Sequence, residues 1–263
     1  MIIAVSYFAS SLNQGVCLFK PSLKKEYLNK GARAPVINEA LELLKIRKDK
    51  EALVIFDKIL IDQPDNLDAS WGRAEVLRRT RNYREAQIIL NEILKKNPQH
   101  APSLISTAYI AYKDDELNQA LQLINRALES GCADKNNKAL AYVMLGTINS
   151  RRSAKGLLFN KIKYGTQIKS HFLRAKSLAP DLPEVHLSLG TFYLLAPAIF
   201  GRNLDKAREE LELAVKIAPD FATACARLAQ CYKKQGIYDK YNFYIERAKN
   251  LDPGNEIVRE LKE

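Results

Sequence analysis

Residues 204–219 read Leu-Asp-Lys-Ala-Arg-Glu-Glu-Leu-Glu-Leu-Ala-Val-Lys-Ile-Ala-Pro, with Ala207, Leu211 and Ala214 at helical spacing and Pro219 closing the unit. Ala52, Phe56, Ile59 and Pro64 repeat the same intervals much earlier in the chain. Such recurrence marks an array of short structural units rather than one wound core. The closing positions Pro64, Pro98, Cys132, Pro180, Pro219 and Pro253 are separated by 34, 34, 48, 39 and 34 residues. Each Pro stops a helix because it has no amide hydrogen for the helical ladder. Small residues such as Ala74, Ala86, Ala108, Ala120, Gly146, Gly190 and Ala229 fall where two helix axes cross closely, with Phe56, Leu90, Ile124, Phe172, Leu211 and Ile245 filling the next layer.

The unit spanning residues 222–255 carries Leu228-Ala229, Tyr232, Gly236, Tyr238, Ala248 and Leu251-Asp252-Pro253. On these residues the chain resembles tetratricopeptide repeat (TPR) proteins. That resemblance implies an all-α fold, a right-handed TPR α-solenoid of about six helix-turn-helix units, working as a binding scaffold and not an enzyme. The expected organisation is an N-terminal arm at 1–32, an array at 33–255 with insertions near 150–162 and 195–203, and a tail at 256–263 able to begin a capping helix. The lengthened basic repeat followed by Leu194-Leu195-Ala196-Pro197 and Gly201 further resembles bacterial TPR proteins associated with TRAP-type solute transporters. This second resemblance implies an envelope or membrane-associated protein binding an apolar or anionic ligand for a transporter.

Composition agrees with a soluble helical chain: 47% of the 263 residues are hydrophobic and 27% charged. The net charge of +11 favours an anionic partner where it is clustered. From Lys135 to Pro180 there is no Asp or Glu, while Arg151, Arg152, Lys155, Lys161, Lys163 and Lys169 form the centre of a basic stretch. An acidic protein partner, an anionic membrane surface near Leu157-Leu158-Phe159, and a merely solvated basic face all fit it; nucleic acid is disfavoured because no recognised nucleic-acid motif accompanies the charge. The four Cys show no C-x-x-C pair, and His100, His171 and His186 have no ligand-like spacing, so no metal and no cofactor is expected. No phosphate-cradling Gly-rich loop, nucleophile elbow or H-E-x-x-H pair is present. The uncharged residues 1–19 are too interrupted to span a bilayer and lack a basic leader, which favours the cytoplasm, with export or anchoring as the alternative.

The TPR resemblance places the first helix of each unit along a concave face. Its inward positions read Trp71, Glu75, Arg78 and Arg79; Ile105, Tyr109 and Tyr112; Val143, Met144 and Thr147; Leu187, Thr191 and Leu194; then Arg227, Gln230 and Lys233. Trp71, Arg78, Tyr109, Tyr112, Met144, Leu187, Thr191 and Arg227 are the candidate partner-binding residues, suited to a helix or extended peptide of acidic character. The alternative is that the aromatic members only pack on neighbouring repeats. The first two units lack the Lys and Asn that hold chaperone C-termini in the family, offering Ile37, Leu41 and Gly72 instead.

Overall fold

The computed structural model describes residues 34–130, 134–156 and 158–261, with the side chains of residues 34–35 and 158–161 left aside. The expected arm at 1–32, together with Cys17, Cys132, the Leu157-Leu158-Phe159 side chains and that of Lys161, lies outside what is described. Among the described residues thirteen α-helices follow one another. Six hairpins pair α1 (Ala34–Lys45) with α2 (Asp49–Asp62), α3 (Leu67–Arg79) with α4 (Tyr83–Lys96), and α5 (Ala101–Lys113) with α6 (Leu117–Glu129). They continue as α7 (Lys135–Lys155) with α8 (Leu158–Leu178), α9 (Pro183–Leu195) with α10 (Leu204–Ile217), and α11 (Ala222–Lys234) with α12 (Tyr238–Leu251), before a short α13 (Glu256–Glu260). The fold is an all-α, TPR-type solenoid.

Helix α10 shows how each unit is specified. The Asn203 side chain accepts from the Lys206 amide at 2.9 Å and starts the helix, Asp205 and Lys216 suit its two ends, and Pro219 follows the C-cap Ala218. Ala207, Leu211 and Ala214 are fully buried. Asn66, Asp134 and Asn255 cap α3, α7 and α13 in the same way. Both insertions are structured. Residues 150–155 and 158–162 belong to α7 and α8, which reach 21 residues each, against 13 or 14 in the other array helices from α2 to α12. The segment after α9 forms a 3-10 turn at Ala198–Phe200 and a left-handed Gly201, and the Asn203 amide donates to the Tyr193 carbonyl at 2.9 Å. Phe200 lies against Gly165 of α8, while Ile199 is 86% exposed.

Close helix crossings recur. A Cβ added to Gly146 would stand 2.3 Å from the Phe172 ring, and one on Gly190 would stand 2.5 Å from Leu211. Gly72 meets Phe56 of the preceding hairpin in the same manner. In four of the six hairpins the chain turns through a residue with positive φ next to the second helix: Arg47 (69°), Arg81 (68°), Asp115 (65°) and Gly236 (73°). This left-handed region suits glycine, and a side chain there costs about 1 kcal/mol. The two arginines hold that strain at equivalent positions of neighbouring hairpins. Cys225 and Cys231 are buried free thiols.

Gly146→Ala should lower stability by about 1–3 kcal/mol, since Phe172 is enclosed and the overlap outweighs the gain in helix propensity. Gly165→Ala, whose added Cβ meets only the half-buried Phe200 ring at 3.3 Å, should cost distinctly less. Denaturant unfolding of both variants checks the contrast, and equal losses would refute it.

Candidate functional site

The first helices of successive hairpins lie side by side and present one inner face. Trp71, Glu75 and Arg78 on α3, and Ile105, Tyr109 and Tyr112 on α5, are spaced four and three apart, which brings each set onto one stripe of its helix. With Met144, Leu187 and Arg227 they line a chamber of about 480 Å³. Of the eight candidate partner-binding residues, only Thr191 does not line it. Leu194, Gln230 and Lys233, also expected to face inward, are outside the lining; Leu194 is buried in the main core instead. The stripe on α9 leaves the chamber after its first turns because the helix end must cover the hairpin core.

The chamber is closed by charges from sequence-distant hairpins. The Arg47 guanidinium reaches Glu184 at the start of α9 (2.6 Å) and stacks over the Phe221 ring at 3.8 Å. Lys45 pairs with Asp181 beside it. Arg81 binds both Asp252 oxygens (3.2 and 2.6 Å) and the Gly254 carbonyl (3.1 Å), and Lys113 binds Glu256 at 2.8 Å. These contacts bring the turns of the first three hairpins against the last two and α13. None of Arg47, Arg81, Lys113 or Glu184 stood out in the sequence, because their partners lie 137 to 173 residues away.

Within the wall, Glu75 is buried and accepts from Arg78 Nε (2.7 Å), Arg79 Nε (2.9 Å) and the Ser106 hydroxyl (2.8 Å). Trp71 Nε1 donates to the same hydroxyl at 3.1 Å. Burial pushes the Glu75 carboxyl up, but the two guanidiniums outweigh it and hold the group well below the usual carboxylate range. Arg79 also donates to Asp49 (2.6 Å) and the Leu44 carbonyl (2.7 Å). Arg78 lies 4.1 Å over the Tyr109 ring and Arg151 lies 3.9 Å over Tyr112, so the aromatic anchors carry cations on one face. Arg227 donates to the neutral Gln230 at 2.7 Å; burial lowers its pKa and the charge of Glu260 offsets part of that.

The described members of the basic stretch differ in what they meet. Arg151 lines the chamber, donates to the Tyr112 carbonyl (2.9 Å) and shares Asp115 (3.6 Å) with Lys155, whereas Arg152 donates to Asn118 (2.8 Å). Lys163 is exposed near Tyr164, and Lys169 stands 5.6 Å from the Tyr193 ring. Consecutive residues of a helix diverge by about 100°, so a run of charge in sequence divides between faces. His100 lies between Ser103 and Asp68, and His186 between Glu210 and the Pro180 carbonyl, both buried as packing groups. No described helix is long and apolar enough to cross a membrane.

Glu75→Gln should cost about 2–3 kcal/mol, because it leaves two buried guanidiniums short of a counter-charge. Glu75, Glu210 and Glu256 all have carboxyls held below the ordinary value. For a depressed acid the stabilisation is complete above the unfolded pKa of about 4.3 and lost as pH falls through the folded value. Thermal melts should therefore fall below about pH 5, with a shallower fall in Glu75→Gln; parallel curves would contradict the assignment.

Residues 50–105 match the tetratricopeptide repeat model, from the first turn of α2 into α5. The chain is similar to the DnaJ homolog subfamily C member 7 homolog of Dictyostelium discoideum, at 27% identity over 208 residues covering 79% of this chain and 38% of that protein. Among solved structures it is similar to human IFIT1, determined as a dimer with PPP-AAAA (TM-score 0.59, 17% identity, 86% of this chain and 51% of that one). It is also similar to the APC/C hetero-tetramer Cut9-Hcn1 (TM-score 0.57, 15% identity, 89% and 44%). At these identities the structures speak to the fold alone, and the chain spans well under two thirds of these relatives.

Proposed function

From a TPR-type solenoid whose inner face is drawn into a chamber, we propose a non-enzymatic scaffold that binds a peptide segment of a partner protein, acidic beside apolar. One observation carries this reading. The chamber lining combines Trp71, Tyr109, Tyr112, Met144 and Leu187 with seven cations (Arg47, Arg78, Arg79, Arg81, Lys113, Arg151, Arg227) against five carboxylates (Glu75, Glu184, Asp252, Glu256, Glu260). Aromatic anchors supply contact area at little entropic cost; Arg79 and Arg151 pair in addition with Asp49 and Asp115, so Arg227, which meets only a neutral amide directly, is the cation open to negative charge. The volume suits a few residues of extended chain better than a helix about 10 Å across. The repeat-family match and the solenoid neighbours support a scaffold in general; the groove and the acidic character rest on the lining.

Trp71 is the sole tryptophan and lines the chamber, so its emission reports occupancy. Titration with short acidic peptides containing Leu or Phe should shift that emission. Tyr109→Ala and Arg227→Gln should each weaken binding about tenfold, the loss of an interface anchor, with helicity by circular dichroism unchanged. Absence of any shift, or wild-type affinity in Tyr109→Ala, would remove the proposal.

A second reading has its own observation. Ile199 is 86% exposed and Ile162 is 52% exposed, close to Lys163 and the Phe200–Gly165 contact. Apolar tips beside exposed lysines favour an anionic membrane surface. Vesicles containing phosphatidylserine should then sediment the chain at low salt, and Ile199→Asp should abolish it. No sedimentation at low salt would discard this reading.

A further inference from the structure

The residues that close the open end of the chamber come from the chain's own C-terminal segment. Asp252, Asn255, Glu256, Ile257 and Glu260 all line it. Asp252 grips Arg81 with both oxygens while also accepting from the Gly254 amide (3.1 Å), and the Gly254 carbonyl accepts from the same arginine. Four residues on, Glu256 takes Lys113 at 2.8 Å. Ile257 and Val258 bury beside them, and Glu260 supplies the negative charge nearest Arg227. The segment thus sets two carboxylates next to an apolar pair on cations of the second and third hairpins.

The ionic part of this closure is held lightly, while Ile257 and Val258 anchor the segment in the main core. The Arg81 and Asp252 side chains keep 44% and 28% of their exposure, and those of Lys113 and Glu256 keep 23% and 59%. Ion pairs this open contribute little each. Arg81 moreover sits at φ 68°, a strained conformation that glycine would adopt freely at the same turn, as Gly236 does. An arginine kept where glycine serves the turn better points to a task for its side chain, and the task visible here is holding Asp252 and the Gly254 carbonyl.

We propose that residues 252–260 form an intramolecular strap, anchored by Ile257 and Val258, whose carboxylates Asp252 and Glu256 occupy the cationic mouth of the chamber, and that an acidic peptide segment of a partner protein displaces those carboxylates from Arg81 and Lys113. The proposal rests on the reading of the chamber as an acidic-peptide site and adds what the site holds when no partner is bound. Tethered so close, the strap competes at an effective concentration on the order of millimolar. A partner must exceed that competition, and added salt, which screens exposed pairs, weakens strap and partner alike.

The test uses the full chain and, as probe, a fluorescein-labelled synthetic peptide with the sequence of residues 252–263. Binding is read by anisotropy in the wild type, in Asp252→Asn/Glu256→Gln, and in Arg81→Glu/Lys113→Glu, each checked for native helicity and melting. Asn and Gln keep the shape and one acceptor while removing the charge, so folding is expected to survive. The strap-weakened variant should bind the probe about tenfold tighter than the wild type, and the charge-reversed variant should not bind. Hydrogen exchange gives an independent measure: amides of 257–261 should exchange faster in Asp252→Asn/Glu256→Gln, with those of α11 unchanged. Equal affinity in wild type and strap-weakened chain, with unchanged exchange, overturns the strap while leaving the peptide site standing. No binding to either overturns the peptide site itself, and retained binding in Arg81→Glu/Lys113→Glu overturns its location.

Discussion

Two arginines in left-handed turns set the shape of this molecule. A residue of positive φ lets a helical hairpin reverse its chain tightly, and four of the six hairpins do so at Arg47, Arg81, Asp115 and Gly236. Placing arginine there gives up backbone ease and gains a long cationic side chain at the tip of the turn, aimed past its own hairpin. Arg47 finds Glu184 and the Phe221 ring; Arg81 finds Asp252 and the Gly254 carbonyl. An open solenoid has only nearest-neighbour contacts. Here these reaches add contacts between hairpins three and more units apart, and the inner face becomes a chamber.

Closure changes what the inner face can do. Its most buried charges satisfy one another: Glu75 lies between Arg78 and Arg79, and Arg79 is shared with Asp49. Such a network fixes the wall, since each lost member would strand a buried charge. The cations nearer the mouth, Arg81 and Lys113, answer instead to carboxylates of the C-terminal segment, which are far more exposed. Arg227, meeting only a neutral amide directly, is the wall cation least committed to the protein itself. The gradient from a locked wall to an exchangeable mouth is what the functional proposals rest on.

Much of the architecture was legible in residue spacing. The recurrence of Ala, a bulky apolar residue and Pro at fixed intervals marks the hairpins, and the four-and-three spacing of Trp71, Glu75 and Arg78 places them on one stripe. The long fourth repeat was visible as an excess of residues, yet its form was not: an insertion rich in Lys and Arg can make a loop or extend two helices, and only pairing of α7 with α8 decides for helix. The apolar segment at 195–203 was likewise visible as an anomaly, while the seat of Phe200 on Gly165 depended on how far α8 had been lengthened. The cation–aromatic stacks of Arg78 and Arg151 join neighbouring helices, and a linear reading separates what they bring together.

Residue spacing alone carries the helices, their repeat length and the small residues at which they cross, because these are set by contacts between residues near in the chain. Only the tertiary structure decided that the array closes on itself and that its C-terminal carboxylates stand on Arg81 and Lys113. The superhelical turn that makes those meetings sums small rotations over many hairpins, and no local pattern records the total. A positive φ at an arginine is likewise invisible in sequence, where the residue reads as one more surface charge.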